Sequence, residues 1–131
     1  MPSPPQIIHA YRTLYRTGLR ALKYHLHHRR ALLTHLRHAF RTNPPSAFSP
    51  QKIANTVTFL RVAARRQPAS VEYRVLVNLL NAGYHRERRL AKGKAMPVVG
   101  TVERGVRMHR VYEGLDWEVR MLNESMGMCL Q

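Results

Sequence analysis

Five histidines, His25, His27, His28, His35 and His38, stand close together in the chain, and their chemistry is the first to weigh. His35 and His38 lie one helical turn apart, a spacing that can turn two imidazoles toward one metal ion. No cysteine or carboxylate lies nearby to complete a ligand set, and the cationic surroundings repel metal ions. The cluster therefore reads as a solvated or RNA-facing surface, and no metal site is expected. Catalysis is disfavoured on similar grounds. Glu72 is the first acidic residue, so the preceding half offers no carboxylate for acid–base work. No nucleophile stands in a recognisable base-and-orienter setting. Cys129 is the single cysteine, which excludes an internal disulfide framework and any CxxC metal site. The chain is expected not to be an enzyme and to carry no cofactor of its own.

Arginine supplies the stronger chemical signal. Twenty-two Lys and Arg face seven Asp and Glu, a formal charge of +15, and the first 71 residues hold twelve of the cations and no acid. Such an excess implies polyanionic company: ribosomal RNA, an acidic protein or an anionic membrane surface. Arginine greatly outnumbers lysine, which suits bidentate grip on carboxylates and phosphates. A second basic run, Arg86, Arg88, Arg89, Lys92 and Lys94, supplies candidate RNA contacts, because counterion release rewards clustered cations. It reads equally as a solvated helix end, where cations complement the helix dipole. Aromatic residues are not interleaved with these cations as a base-stacking platform would need, so sequence-specific RNA recognition is not supported. An Arg-rich, acid-free beginning is also how mitochondrial import signals read. Here it merges directly into core-forming helix, which suggests import by an uncleaved first helix. An ordinary basic nuclear or cytosolic protein would show the same charge.

These cations must be carried by helices. The length suits one modest core, and no stretch approaches the roughly 18 apolar residues that span a bilayer. A first helix is predicted from about Gln6 to His25, with Pro4 and Pro5 before it. Ile7, Ile8, Tyr11, Leu14, Tyr15, Gly18, Leu19 and Leu22 share its apolar face, while Arg12, Arg16, Arg20 and Lys23 form a basic stripe opposite. A second helix, His28 to Arg41, presents Leu32, Leu33, Leu36, Ala39 and Phe40, and Asn43-Pro44-Pro45 stops it. A third begins at Ser49-Pro50 with the stripe Ile53, Val57, Leu60 and Ala64, and ends at Gln67-Pro68. Ser70 can cap a fourth, Val71 to Leu90, whose wide apolar arc demands deep burial or a covering partner. Residues 91–101, with Gly93, Pro97 and Gly100, read as a basic linker. The only strand candidate is Val98-Val99. A last helix is predicted from about Val111 to Met126, with Trp117, Val119, Met121 and Leu122; Met108, Met121, Met126 and Met128 read as packing residues. The fold class is all-α, organised as a helical bundle over residues 1–90 and a linker with a helical extension over 91–131.

Within the first helix lies Leu14-Tyr15-Arg16, followed by Leu19-Arg20, and the second helix closes on Leu36-Arg37-His38-Ala39-Phe40-Arg41-Thr42-Asn43. This pairing resembles the LYR-motif (complex I LYR-like) family, whose members carry LYRxxLR early and an IRxxFRxN-like segment later. Thr56-Val57-Thr58-Phe59-Leu60 is similar to a segment of a short family member that serves mitoribosome assembly. The resemblance covers residues 6–66, about half the chain. It implies a three-helix bundle in the mitochondrial matrix that binds the acidic mitochondrial acyl carrier protein. It also implies that the carrier's acyl chain, on 4'-phosphopantetheine, flips out and inserts among the helices. Tyr15, Arg16, Phe40 and Arg41 match the family's motif positions, and Leu14 anchors helix packing.

The physics of such a partner is consistent with these residues. Arg12, Arg16, Arg20, Arg37 and Arg41 offer a cationic rail to an acidic carrier, and with Tyr15 and Phe40 they make up the expected carrier surface. An aliphatic slot is expected from Tyr11, Leu14, Gly18, Leu36, Val57 and Leu60, worth about 0.8 kcal/mol per buried CH₂. Gly18, mid-helix, either makes room for the chain or permits close helix approach; it costs about 1 kcal/mol relative to alanine. A fourth helix and a tail depart from the three-helix pattern, and these extra residues are expected to bind a specific client. The reading is thus an adaptor for carrier-dependent assembly, with the large subunit of the mitochondrial ribosome as first choice of client. Alternatives are a permanently built-in subunit of the mitoribosome or of respiratory complex I, and a basic helical RNA-binding protein.

Overall fold

Proline opens the first helix, where its missing N–H would go unpaired anyway. A computed structural model describes residues 2–65, 70–91 and 102–130, of which 87, 89–91 and 102–112 are described by backbone alone. In it α1 spans Pro4–Ala21, and the Ser3 N–H donates to Gln6 Oε1 at 3.0 Å to close its first turn. The helix stops four residues short of the predicted His25. Tyr24 N–H turns back to the Leu19 carbonyl and Lys23 N–H to that of Arg20, the paired closure that ends many helices. Lys23 and Tyr24 adopt φ of 49° and 59° without being glycines, so no residue type in the sequence announces this turn.

Leu26–Thr42 form α2. Asn43 takes an extended conformation, as a residue before proline must, and a single 3-10 turn, Pro45–Ala47, carries the chain onward. In α3, Pro50–Arg65, Ser49 Oγ accepts from Lys52 N–H at 3.4 Å. Ser70 caps α4, Val71–Ala91, by accepting from Tyr73 N–H at 3.2 Å. The helix α5, Val102–Met126, begins nine residues before the predicted Val111. Among the described residues there is no strand, and the chain is all-α. Gln67-Pro68, Val98-Val99, Gly93, Pro97 and Gly100 lie outside the described residues.

Packing follows the apolar stripes. α1 lies against α2 and α3, and α4 lies against α2 and α3. Leu14, Leu22, Leu32, Leu36, Val57, Phe59 and Leu60 build the core between the first three helices, and Leu76 and Leu80 close it from α4. Gly18 faces Leu32 across the α1–α2 contact, where a Cβ would stand 2.7 Å from Leu32 Cδ2. Of its two expected roles, the structure gives Gly18 the close helix approach. The wide apolar arc of α4 divides: Leu76 and Leu80 are buried, Val75, Val77 and Leu79 pack against the core, and Val71 is exposed.

After α5 the chain returns to the bundle. Gly127, at φ 58°, turns it, and Met128 and Leu130 enter the same core as the helices. Met121 and Met126 are exposed, with Trp117; contrary to expectation, these two methionines do not pack inside. The Met108 side chain is outside the described residues. No helix among the described residues is long and apolar enough to cross a membrane.

Candidate functional site

A largely apolar cavity of about 180 Å³ opens among α1, α2, α3 and α4. Ile7 and Leu14 of α1 line it, with Leu32, Leu36, Ala39 and Phe40 of α2, Ile53 and Leu60 of α3, and Leu76, Leu79 and Leu80 of α4. The 43–49 connection adds Pro44, Pro45, Ala47 and Phe48, and the segment after α5 adds Cys129 and Leu130. His35, Asn43, Ser49, Lys52 and Thr56 supply its polar groups. An engineered apolar cavity of about 150 Å³ takes one benzene, so this one has room for an aliphatic segment of about six carbons.

The periodicity that makes these helices also makes the cavity. Leucines at Leu32 and Leu36 recur on one side of α2, and Leu76 and Leu80 do so on α4. Branched side chains facing one another from four helices leave a gap that the 43–49 connection borders. Beside it, Phe40 meets Tyr11 edge-on at 5.4 Å between ring centroids, and Tyr11 stacks along Tyr15 at 6.4 Å. Tyr11, Tyr15 and Phe40 are all half-buried against the core.

Of the six residues expected to form the slot, Leu14, Leu36 and Leu60 line the cavity and Tyr11, Gly18 and Val57 do not. Val57 is buried in the core, Gly18 is covered by Leu32, and Tyr11 contacts a lining residue, Phe40. Ile7, Leu32, Ile53 and the α4 leucines were each legible as helix-face residues, without a sign that they bound a cavity. Cys129 and Leu130 carry no such signal; the contact of Cys129 with Thr56 of α3 spans 73 residues of chain.

The expected carrier surface is placed as follows. Arg12, Arg16 and Arg20 are exposed at successive fourth positions of α1, and Arg37 and Arg41 are exposed on α2. Arg41 directly follows Phe40, which lines the cavity. An ion pair lies elsewhere: Arg86 Nη1 sits 3.0 Å from both carboxylate oxygens of Asp116, linking α4 to α5. In the second basic run, Arg86 is therefore engaged, and Arg88 is exposed with Nη1 donating to the Tyr84 hydroxyl at 3.4 Å. The Arg89 side chain, Lys92 and Lys94 lie outside the described residues.

The five histidines do not form one cluster, and His38 is exposed on α2. His35 faces the cavity. His25, His27 and His28 gather at the α1–α2 junction, with His27 against the Tyr84 ring of α4 at 4.7 Å. The His28 pKa is lowered, first by burial and then by the neighbouring charges of His27 and His25. Its Nδ1 is buried with no hydrogen-bond partner among the described residues. No group of three or more metal-ligating side chains occurs among the described residues.

No protein-family model matches the chain, and no solved structure does. The chain is similar to a curated protein of Schizosaccharomyces pombe, the UPF0593 mitochondrial protein C806.05. The two are 32% identical over 110 residues, which cover 82% of this chain and 84% of that protein. Similarity of that extent cannot be carried by the LYR-like segment alone, and it runs well beyond residues 6–66. The chain belongs to the same family, the UPF0593 mitochondrial proteins.

Proposed function

We propose that this mitochondrial protein is a matrix adaptor of the LYR type, which binds acylated acyl carrier protein and supports assembly of a larger complex. The observation that carries the reading is the apolar cavity between the helices, with Phe40 on its wall and the exposed Arg41 next to it. An aliphatic chain entering that cavity would gain about 5 kcal/mol from roughly six buried methylenes. The arginines of α1 and α2, unpaired among the described residues, suit an acidic carrier, which would be steered and oriented by them. In this reading the protein is not an enzyme. The acyl-4'-phosphopantetheine belongs to the carrier. The chain's +15 charge favours a polyanionic client, and the large subunit of the mitochondrial ribosome fits it best.

Affinity purification from mitochondria tests this. The wild-type protein should recover acyl carrier protein, and Arg16→Glu and Phe40→Ala should each reduce recovery at least about tenfold, a loss of 1.4 kcal/mol. Equal recovery by both variants would remove the proposal. Ribosomal RNA recovered without carrier would instead support a basic RNA-binding protein. Stoichiometric presence in mature ribosomes or complex I would mark a built-in subunit.

A further inference from the structure

One wall of the cavity differs from the others. α1 and α4 each pack on α2 and α3, whereas Cys129 and Leu130 belong to a short segment without regular structure. We propose that residues Gly127–Leu130 are a displaceable wall that sets which aliphatic chains are accepted. Short groups bind with the segment seated, and long ones only after it has left. This rests on the reading that the cavity receives an aliphatic chain.

Three observations carry it. The first is size: with the segment in place the cavity is about 180 Å³, room for about six carbons by comparison with the benzene-sized case. A longer chain has either to run out through the open mouth or to take the volume that this wall now fills. The second is the mode of attachment. Met128 and Leu130 are only 2% and 6% exposed, so the segment is seated as part of the core. Its backbone is nevertheless held by isolated polar contacts. Leu130 N–H donates to Asn123 Oδ1 at 2.8 Å and Met128 N–H to the Asn123 carbonyl at 2.9 Å, both back to α5. Among the described residues, Asn55 and Thr56 reach it by hydrogen bonds from α3. Asn55 Nδ2 donates to the Gly127 carbonyl at 3.1 Å, and Thr56 Oγ1 accepts from Cys129 N–H at 3.1 Å. Such contacts open locally more readily than packed helices do. The third is the turn: Gly127 sits at φ 58°, a conformation glycine enters and leaves without steric penalty. The segment can swing about that residue while α5 stays in place.

The wall can be locked. Thr56 Oγ1 and Cys129 Sγ lie 3.3 Å apart, so Thr56→Cys brings two thiols within disulfide reach. The full chain carrying Thr56→Cys would be titrated by calorimetry with hexyl- and dodecyl-pantetheine thioethers, oxidised and then reduced with a phosphine. Dodecyl binding should weaken at least about tenfold on oxidation and recover on reduction, while hexyl binding stays within about threefold. In parallel, amide hydrogen exchange on the wild-type chain reads the segment without mutation. The Met128, Cys129 and Leu130 amides should exchange at least about tenfold faster with the dodecyl compound and unchanged with the hexyl one. If both thioethers bind and neither measurement separates them, the wall is fixed and this inference falls while the cavity reading stands. If neither compound binds the wild-type or the reduced variant, both fall.

Discussion

Gly18 and Leu32 meet so closely that the Cβ the glycine lacks would stand 2.7 Å from Leu32 Cδ2. The contact fixes how near α1 can lie to α2, and Leu32 is itself a wall of the cavity. Gly18→Val should destabilise the fold by about 1–3 kcal/mol through overpacking, read by urea denaturation. Adding Leu32→Ala should recover part of that loss, giving a favourable coupling in a double-mutant cycle. A Gly18→Val protein as stable as wild type would show that the helices do not need this approach.

His28 makes stability depend on acidity. In the unfolded chain it titrates near the ordinary histidine value of 6.5, and in the fold its pKa is lowered by burial and by His27 and His25. Between those two values the unfolded state binds more protons, so stability rises with pH there. As pH falls below 6.5, His28 should therefore cost stability until the folded imidazole protonates as well. Thermal melts at several pH values should show a shallower acid-side loss for His28→Gln than for wild type. Identical slopes would assign the effect to other groups.

Asn123 and Asp116 both belong to α5 but should differ in weight. Asn123 is 9% exposed and accepts the Leu130 N–H, so Asn123→Ala leaves a buried donor unpaired and should cost about 1–3 kcal/mol. Asp116 pairs with Arg86 where both side chains are half exposed, so Asp116→Asn should cost less than about 1 kcal/mol. Denaturant midpoints for the two variants check the ranking. The reverse order would mean that the ion pair, and not the returning segment, anchors α5.

Much of the fold is legible in the residues because its helices begin with explicit chemistry. Pro4-Pro5, Ser49-Pro50 and Ser70 mark starts that the structure reproduces closely. The end of α1 is hidden, since Lys23 and Tyr24 take left-handed conformations that ordinarily go to glycine or asparagine. The cavity is only half legible for a related reason. A helical stripe says that Leu14, Leu36, Val57 and Leu60 face inward, but core and cavity wall draw on the same stripe. Depth depends on how far neighbouring helices diverge, which periodicity does not encode. Met128 reads as a packing residue and is buried, but the docking of Gly127 and Cys129 on α3 is not legible, because it depends on Asn55 and Thr56 far away in the chain.

The three opening helices carry their positive charge without acids of their own, as the first acidic residue is Glu72. Like charges held on one bundle repel, and that repulsion works against compaction until mobile ions or another molecule screen it. Thermal midpoints should accordingly climb between low and physiological ionic strength. An acidic companion would do the same with greater effect, so a copy left alone in dilute buffer is less durable than a copy already accompanied.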